Sequence, residues 1–196
     1  MLSKTHIAVG LAASVTIINP HTAEEIYPVI IGGAIGSVIC DIDCKWDRPS
    51  KDALIGRIIA GTLAAGSLVG DIIARGEIYR YLWEVKLIYV LMGLILFGII
   101  GFFARESEHR TFSHSLIALT GFSVAVALAC RPVTLAFIIG WASHLILDLF
   151  NYKPLQLLYP LKKGFSLKLC YAKSTANTIT MIGGLLWLFV WFILHS

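Results

Sequence analysis

Charge is what this sequence has least of. Only 14% of its 196 residues are Asp, Glu, Lys or Arg, against about 25% in an ordinary soluble domain. With 57% hydrophobic residues, that shortage argues against a soluble globule and excludes a disordered chain. Cysteine is scarce too. Cys40, Cys44, Cys130 and Cys170 form no dense framework, which excludes a disulfide-rich scaffold and favours reduced thiols. Internal repeats and low-complexity segments are absent. The class left is an integral membrane protein with several spans.

What the sequence does have is apolar runs. They are His6–Asn19, Tyr27–Cys40, Leu54–Ala74, Val85–Ala104, Ser115–Cys130, Val133–Phe150 and Thr178–Leu194. A bilayer core of about 30 Å takes roughly 20 helical residues. The first two runs are therefore short, and the first suits a tilted or partly buried helix. The second is rich in glycine (Gly32, Gly33, Gly36), which lets helices approach closely in lipid. Pro20 and Pro28 mark a break between the first two runs, and Arg131-Pro132 a turn between the fifth and sixth. The N-terminal run has no clean signal-peptidase site and is read as retained. The expectation is an all-α, polytopic integral membrane helix bundle of six or seven transmembrane or half-spanning helices, one multi-spanning domain over residues 1–196.

If every run crosses, twelve of the sixteen Lys/Arg fall on the side of the N-terminus, from Lys4 and Lys45 to Lys168 and Lys173. Arg75, Arg80, Lys86 and Arg131 fall on the other. The positive-inside rule makes the N-terminal side cytoplasmic. The net charge of +4 thus reports orientation, and no nucleic-acid partner is expected.

Ionisable residues within apolar runs are expensive and mark function. His6 opens the first run. Asp41 and Asp43 close the second. His109 and His114 stand between the fourth and fifth, and His144 and Asp148 near the end of the sixth. The alternation of sides brings all seven to one membrane depth. His144 and Asp148, four apart, share a helical face. The Asp-x-Asp pair suits a helix end and offers hard oxygen ligands. Ser113 or Thr111 is expected to cap the helix after His114. Mixed His and Asp ligands suit zinc first, with manganese or iron as alternatives. Seven candidates exceed one tetrahedral ion, so either two ions bind or some residues support or catalyse. A bound ion would lower the pKa of water toward ~7. A spare Asp, Asp43 or Asp148, would move the proton. Arg110 would hold a phosphate or carboxylate oxygen. Cys40 and Cys44 flank the Asp pair and read as membrane packing ahead of thiolate ligation. Asp71 reads as interfacial, and His21 and His195 fall on the far side without a role.

The ordered set Thr5-His6, Asp41-Ile42-Asp43, His109-Arg110-x-x-Ser113-His114-Ser115, Ser143-His144-x-x-x-Asp148 and Tyr159-Pro160 resembles the YdjM-like family of membrane-bound metal-dependent hydrolases over about residues 5 to 165. The resemblance implies metal ligation by the seven His and Asp positions, a substrate-side role for Arg110 and Ser113, and hydrolase activity with no named substrate. The logic of the ligands is also similar to that of zinc-dependent phospholipase C. Several positions depart from the family pattern. Cys40 replaces a Pro, Cys44 a His, Glu108 and Thr111 each a Gly, and Ser113 a Thr, and Asn151-Tyr152-Lys153-Pro154 lacks the usual Gly.

The segment 152–173 mixes Leu, Tyr and Phe with five Lys. That pattern suits an interfacial loop against anionic headgroups, so membrane lipids are the expected partners. The function expected is hydrolysis of a lipid ester or phosphoester at headgroup depth by metal-activated water. The alternative is a divalent-cation or proton-coupled transporter, which would need polar residues through the spans.

Overall fold

The computed structural model describes residues 1–43, 51–171 and 174–195. Eight α-helices account for the architecture: α1 (Ser3–Ile18), α2 (Ala23–Ile39), α3 (Lys51–Ala74), α4 (Glu77–Glu84), α5 (Leu87–Glu106), α6 (Leu116–Ala129), α7 (Arg131–Leu149) and α8 (Thr175–His195). Short 3-10 turns at Cys40–Asp43 and Phe112–His114 extend α2 and precede α6. The described residues hold no strand, only isolated bridges such as Leu155 with Phe165. All seven apolar runs are helices, and the fold is the expected membrane bundle. Five are long and apolar enough to cross a membrane: α2 with its turn, α3, α5, α7 and α8. The shorter α1 and α6 have 16 and 14 residues.

The helices sort into a centre and a periphery. In their most apolar windows 56% of residues are buried for α2 and α7, but only 17% for α3 and α5 and 6% for α8. The outer helices therefore turn Leu, Ile and Phe outward, as with Ile95, Phe102, Phe189 and Leu194. That is the polarity a lipid solvent selects. The short α1 is central, buried through His6, Ala8, Ser14 and Val15, so it need not meet lipid along its length.

Glycine sets the closeness of the central packing. A Cβ on Gly36 would lie 2.2 Å from the Phe137 carbonyl oxygen, and one on Gly32 2.5 Å from that of Val133. Reciprocally, a Cβ on Gly140 of α7 would lie 2.6 Å from the Gly33 carbonyl. Small residues thus let α2 and α7 pack backbone to backbone, which brings the end of α7 within reach of the end of α2.

Three expectations are corrected. Pro28 lies inside α2, not at its boundary. The helix starts earlier because Thr22 caps it, accepting from the Glu25 N–H at 3.3 Å, with Glu24 and Glu25 in the first turn where the helix dipole favours acids. Second, α4 is an additional helix. Its eight residues carry Glu77, Arg80 and Glu84, so no apolar run announces it. Third, Asp71 is fully buried, not interfacial. It accepts from the N–H groups of Ile78 at 3.2 Å and Tyr79 at 2.8 Å, fixing the start of α4. With Ile78 buried and Trp83 82% exposed, α4 has the amphipathic form of an interfacial helix.

The alternation of sides is visible in the packing. The rings of His21, before α2, and His195, ending α8, are 6.4 Å apart at the far end. At the other end Asn177 of α8 accepts from the Leu2 N–H and the Thr5 hydroxyl, each at 3.0 Å. The non-helical segment 150–171 closes over this end. Leu116 N–H donates to the Leu157 carbonyl and Gln156 N–H to that of Arg110. Leu155 is fully buried, while Leu158, Leu161, Leu167 and Leu169 are exposed beside Lys162, Lys163 and Lys168. Cys44, Lys45, Arg48 and Lys173 lie outside the described residues.

Candidate metal centre

Four stretches of chain deliver the seven ionisable residues to one end of the bundle. α1 brings His6. The turn after α2 brings Asp41 and Asp43, the segment between α5 and α6 brings His109 and His114, and α7 brings His144 and Asp148. A further stretch, the start of segment 150–171, adds Asn151. The seven fall into three overlapping groups with donor atoms within 4.8 Å of one another: His6, His144 and Asp148; Asp41, His114 and His144; Asp43, His109 and His114.

The middle of this row has the geometry of a cation site. His114 Nε2 lies 3.8 Å from Asp41 Oδ1 and 3.9 Å from Asp148 Oδ2. His144 Nε2 lies 3.9 Å from each of the same two oxygens. Each of the two imidazole nitrogens thus stands near both carboxylate oxygens, and Asp41, His114 and His144 form one mutually close group. In a tetrahedral site with bonds of about 2.0–2.1 Å, ligand atoms stand roughly 3.3–3.4 Å apart, so a contraction of a few tenths of an ångström would suffice. Both Nε2 atoms are buried and without a hydrogen-bond partner. An orphaned buried nitrogen is costly, and a cation between the four atoms would satisfy it. The ring positions are fixed from behind. His144 Nδ1 donates to the Ser37 carbonyl at 2.7 Å, so its Nε2 lone pair faces the cluster. His114 Nδ1 is held by Ser113 Oγ at 2.8 Å. A carbonyl or hydroxyl behind the imidazole is the usual support of a metal-ligating histidine.

Asp43 and Asp41 do different jobs. Asp43 receives three hydrogen bonds: from His109 Nδ1 at 2.7 Å, the Arg110 N–H at 3.1 Å and Ser113 Oγ at 2.5 Å. Its oxygens are taken up in fixing the segment 109–114. Asp41 is 17% exposed at its side chain, and among the described residues its oxygens meet the long contacts above and Ser3 Oγ at 3.4 Å. Its backbone carbonyl is held by Arg57 at 2.8 Å. Asp148 sits at the centre. It accepts from Arg110 Nη2 at 2.8 Å, Asn151 Nδ2 at 2.7 Å and the Met1 α-amine at 2.6 Å, with His6 Nε2 at 3.4 Å. Three positive or N–H donors on one buried carboxylate mark a place built for positive charge. His6 also stacks on His144 with ring centroids 3.8 Å apart.

Arg110 holds a φ of 70°, a left-handed conformation uncommon outside glycine. That backbone turns its N–H to Asp43 while its guanidinium reaches Asp148 and the Lys153 carbonyl. Such strain at a cluster of function-bearing groups is a common signature of a site. Ser113 is fully buried behind His114, and the cap of α6 is Ser115, whose hydroxyl accepts from the Ala118 N–H at 3.2 Å. Neither Ser113 nor Thr111 caps it; Thr111 bonds the Glu108 carbonyl. Cys40 is buried in an apolar cluster with Phe122, Phe137 and Trp141, in keeping with packing.

Sequence reasoning missed four participants. Asn151 stands three residues after Asp148, a spacing that could have flagged it. Asn177, at the start of an apolar run, carried the same signal as the other polar residues. Arg57, seven residues into α3, counted only toward orientation. The Ser37 carbonyl had no sequence signal, because any residue supplies one.

No curated protein and no solved structure matches the chain. The family model described as YdjM inner membrane protein matches residues 1–195, nearly the entire sequence. With its helical bundle and its buried His and Asp at one end, this chain belongs to the YdjM inner membrane protein family.

Proposed function

We propose that the protein is a membrane-embedded, metal-dependent hydrolase acting on a lipid phosphoester or ester at headgroup depth. The observation that carries this reading is the pair of buried, orphaned Nε2 atoms of His114 and His144 facing Asp41 and Asp148. Asp41, His114, His144 and Asp148 would hold the ion, zinc ahead of manganese or iron given the mixed nitrogen and oxygen donors. His6, grouped with His144 and Asp148, offers a place for a second ion. A bound divalent ion supplies Lewis-acid polarisation and lowers the pKa of water toward ~7.

The chain's own residues supply the rest. His109, 43% exposed at its side chain and fixed by Asp43 through Nδ1, would move protons at the rim of the cluster. Asp43 orients that ring and stabilises its charged form, as carboxylates do for catalytic histidines. The Arg110 guanidinium, once an ion takes over part of Asp148, is placed to hold a phosphoryl or carboxyl oxygen. Asn151 keeps Asp148 in position. The basic and apolar segment 152–171 would lie along anionic headgroups. The excess of Lys and Arg at this end supports a cytoplasmic side for the site.

One-sidedness favours hydrolysis over transport. Below the cluster the interior is filled by Trp141, Phe137, Phe122 and Val29, all buried. The buried carboxylate at the other end, Asp71, is occupied by backbone N–H groups. The buried polar side chains between them include serines such as Ser14, Ser37 and Ser67, whereas a proton or cation path would be expected to use ionisable partners there.

Purified protein is expected to contain a transition metal and, so loaded, to release a headgroup or acyl product from phospholipid vesicles. Absence of metal from the wild type together with unchanged vesicles would overturn the reading. Metal-dependent cation flux into sealed vesicles without product would establish the transport alternative. For orientation, a cysteine beside Lys51 should resist a membrane-impermeant thiol reagent added outside the cell while one at Trp83 reacts, and the reverse pattern inverts the topology.

A further inference from the structure

Just past the end of α5, the loop that carries His109 meets the segment that follows α7. A cavity of about 590 Å3 lies between them, within the roughly 300–1,000 Å3 of small-molecule sites. Two stretches of chain line it. Ser107, Glu108 and Thr111 come from the first, and Gln156, Tyr159 and Lys162 from the second. Its depth follows from α5, which is long and apolar enough to cross a membrane and ends at Glu106. Ser107 is the next residue, so the cavity stands at the level of the headgroups.

The two stretches are held together without using the charged groups that line the cavity. Gln156 N–H donates to the Arg110 carbonyl at 3.1 Å and Leu116 N–H to that of Leu157 at 3.0 Å. Arg110 Nη1 donates to the Lys153 carbonyl at 2.7 Å. The rings of Phe112 and Tyr159 meet edge to face with centroids 5.6 Å apart. What is left over is a carboxylate on one stretch and an ammonium on the other. Among the described residues the Glu108 carboxylate, the Lys162 amine and the Gln156 side-chain amide have no hydrogen-bond or ion-pair partner. Two opposite charges share one cavity without neutralising each other.

That arrangement selects the charge of a ligand. A wholly anionic headgroup meets Glu108 and a simple cation meets Lys162, each at a cost from like charge. A zwitterion satisfies both. Its phosphate accepts from Lys162 and Gln156. Its ammonium pairs with Glu108 near Tyr159, an aromatic ring whose face attracts cations. Leu158 and Leu161, on the same stretch, are 45% and 61% exposed. Apolar side chains at that depth lie against acyl chains, so the ligand is a lipid and not a free phosphodiester.

We infer that this cavity binds the headgroup of an amine-bearing zwitterionic phospholipid, of the phosphatidylethanolamine type, through Glu108 and Lys162. The stretch that supplies Glu108 continues directly into His109 and Arg110, so the bound lipid lies beside the cluster. The inference deepens the hydrolase reading by naming its substrate class, and rests on that reading only for what becomes of the lipid.

The test is native mass spectrometry of the full-length protein in detergent with equimolar phosphatidylethanolamine and phosphatidylglycerol. The wild type is expected to retain phosphatidylethanolamine several-fold over phosphatidylglycerol. Glu108→Gln should abolish that preference, and Lys162→Gln should lower retention of both lipids. Lys168→Gln removes a lysine of the same segment that does not line the cavity, and should leave the preference unchanged. Glycerophosphoethanolamine, the same headgroup without acyl chains, should fail to displace the lipid at equal concentration. Equal retention of the two lipids by the wild type, or a preference that survives both Glu108→Gln and Lys162→Gln, overturns the inference even if metal is bound and lipid is cleaved. Full displacement by glycerophosphoethanolamine overturns the lipid source. A preference lost in Glu108→Gln, in a protein that binds no metal, supports the headgroup site and sinks the hydrolase reading, so the two failures are distinguishable.

Discussion

The two ends of the bundle each bury carboxylates, and they treat them in opposite ways. At the far end Asp71 is fully buried and accepts from two backbone N–H groups that begin α4. Its charge is answered by the fold. At the near end Asp148 is met by Arg110, Asn151 and the Met1 α-amine, yet it and Asp41 also face two imidazole nitrogens 3.8 to 3.9 Å away, both without a hydrogen-bond partner among the described residues. The difference teaches how to read a buried acid in a membrane bundle. Backbone donors at hydrogen-bond distance make it a helix cap. Facing nitrogens just beyond that distance, themselves fixed from behind, give it a geometry that could hold a cation.

That contrast can be broken by substitution, most severely at Asp148. His144→Ala with Asp148→Ala should leave the purified protein without bound metal by elemental analysis, and full retention would dissolve the distinction between the ends. Ser113→Ala takes away the hydroxyl that holds Asp43 and His114 Nδ1. Metal affinity is expected to weaken about 10–100-fold, the usual effect of losing the support of a ligating histidine, measured by competition with a chromogenic chelator. An unchanged affinity would mean that His114 is not a ligand. Asp71→Asn keeps the shape but loses one acceptor. It should cost about 1–3 kcal/mol of stability, read as a lower unfolding temperature in detergent, with metal content unaltered. Loss of metal there would tie the far end to the site. Smallest of all, His21→Ala and His195→Ala should change stability by no more than about 0.5 kcal/mol and metal content not at all. Any metal loss would add a second centre to the molecule.

Much of this was legible in the residues, for reasons particular to lipid. Backbone groups must be satisfied inside a segment, so apolar runs become helices and their parity fixes which ends meet. Parity alone sends His6, Asp41, His114 and Asp148 to one end and His21 and His195 to the other, as the packing has them. The helix α4 was not legible, since eight residues with alternating charge look like a loop. Nor was the start of α2, where Pro28 suggested a break and the Thr22–Glu25 cap was the better guide. Within the site, the types and their ends could be read but the division of labour could not. That Asp43 is saturated while Asp41 is open follows from the 3-10 turn at Cys40–Asp43 and the left-handed Arg110. Neither conformation has a sequence signature here, because glycine is absent from residues 107–115.

Asn177 ties the beginning of α1 to the beginning of α8 through Leu2 and Thr5, and His6 stands one residue beyond. During synthesis α1 is made first and α8 last. The histidine at the heart of the pocket must therefore wait for the final helix before its helix is clamped, so a nascent chain halted after α7 would carry the ligands without the frame that aligns them.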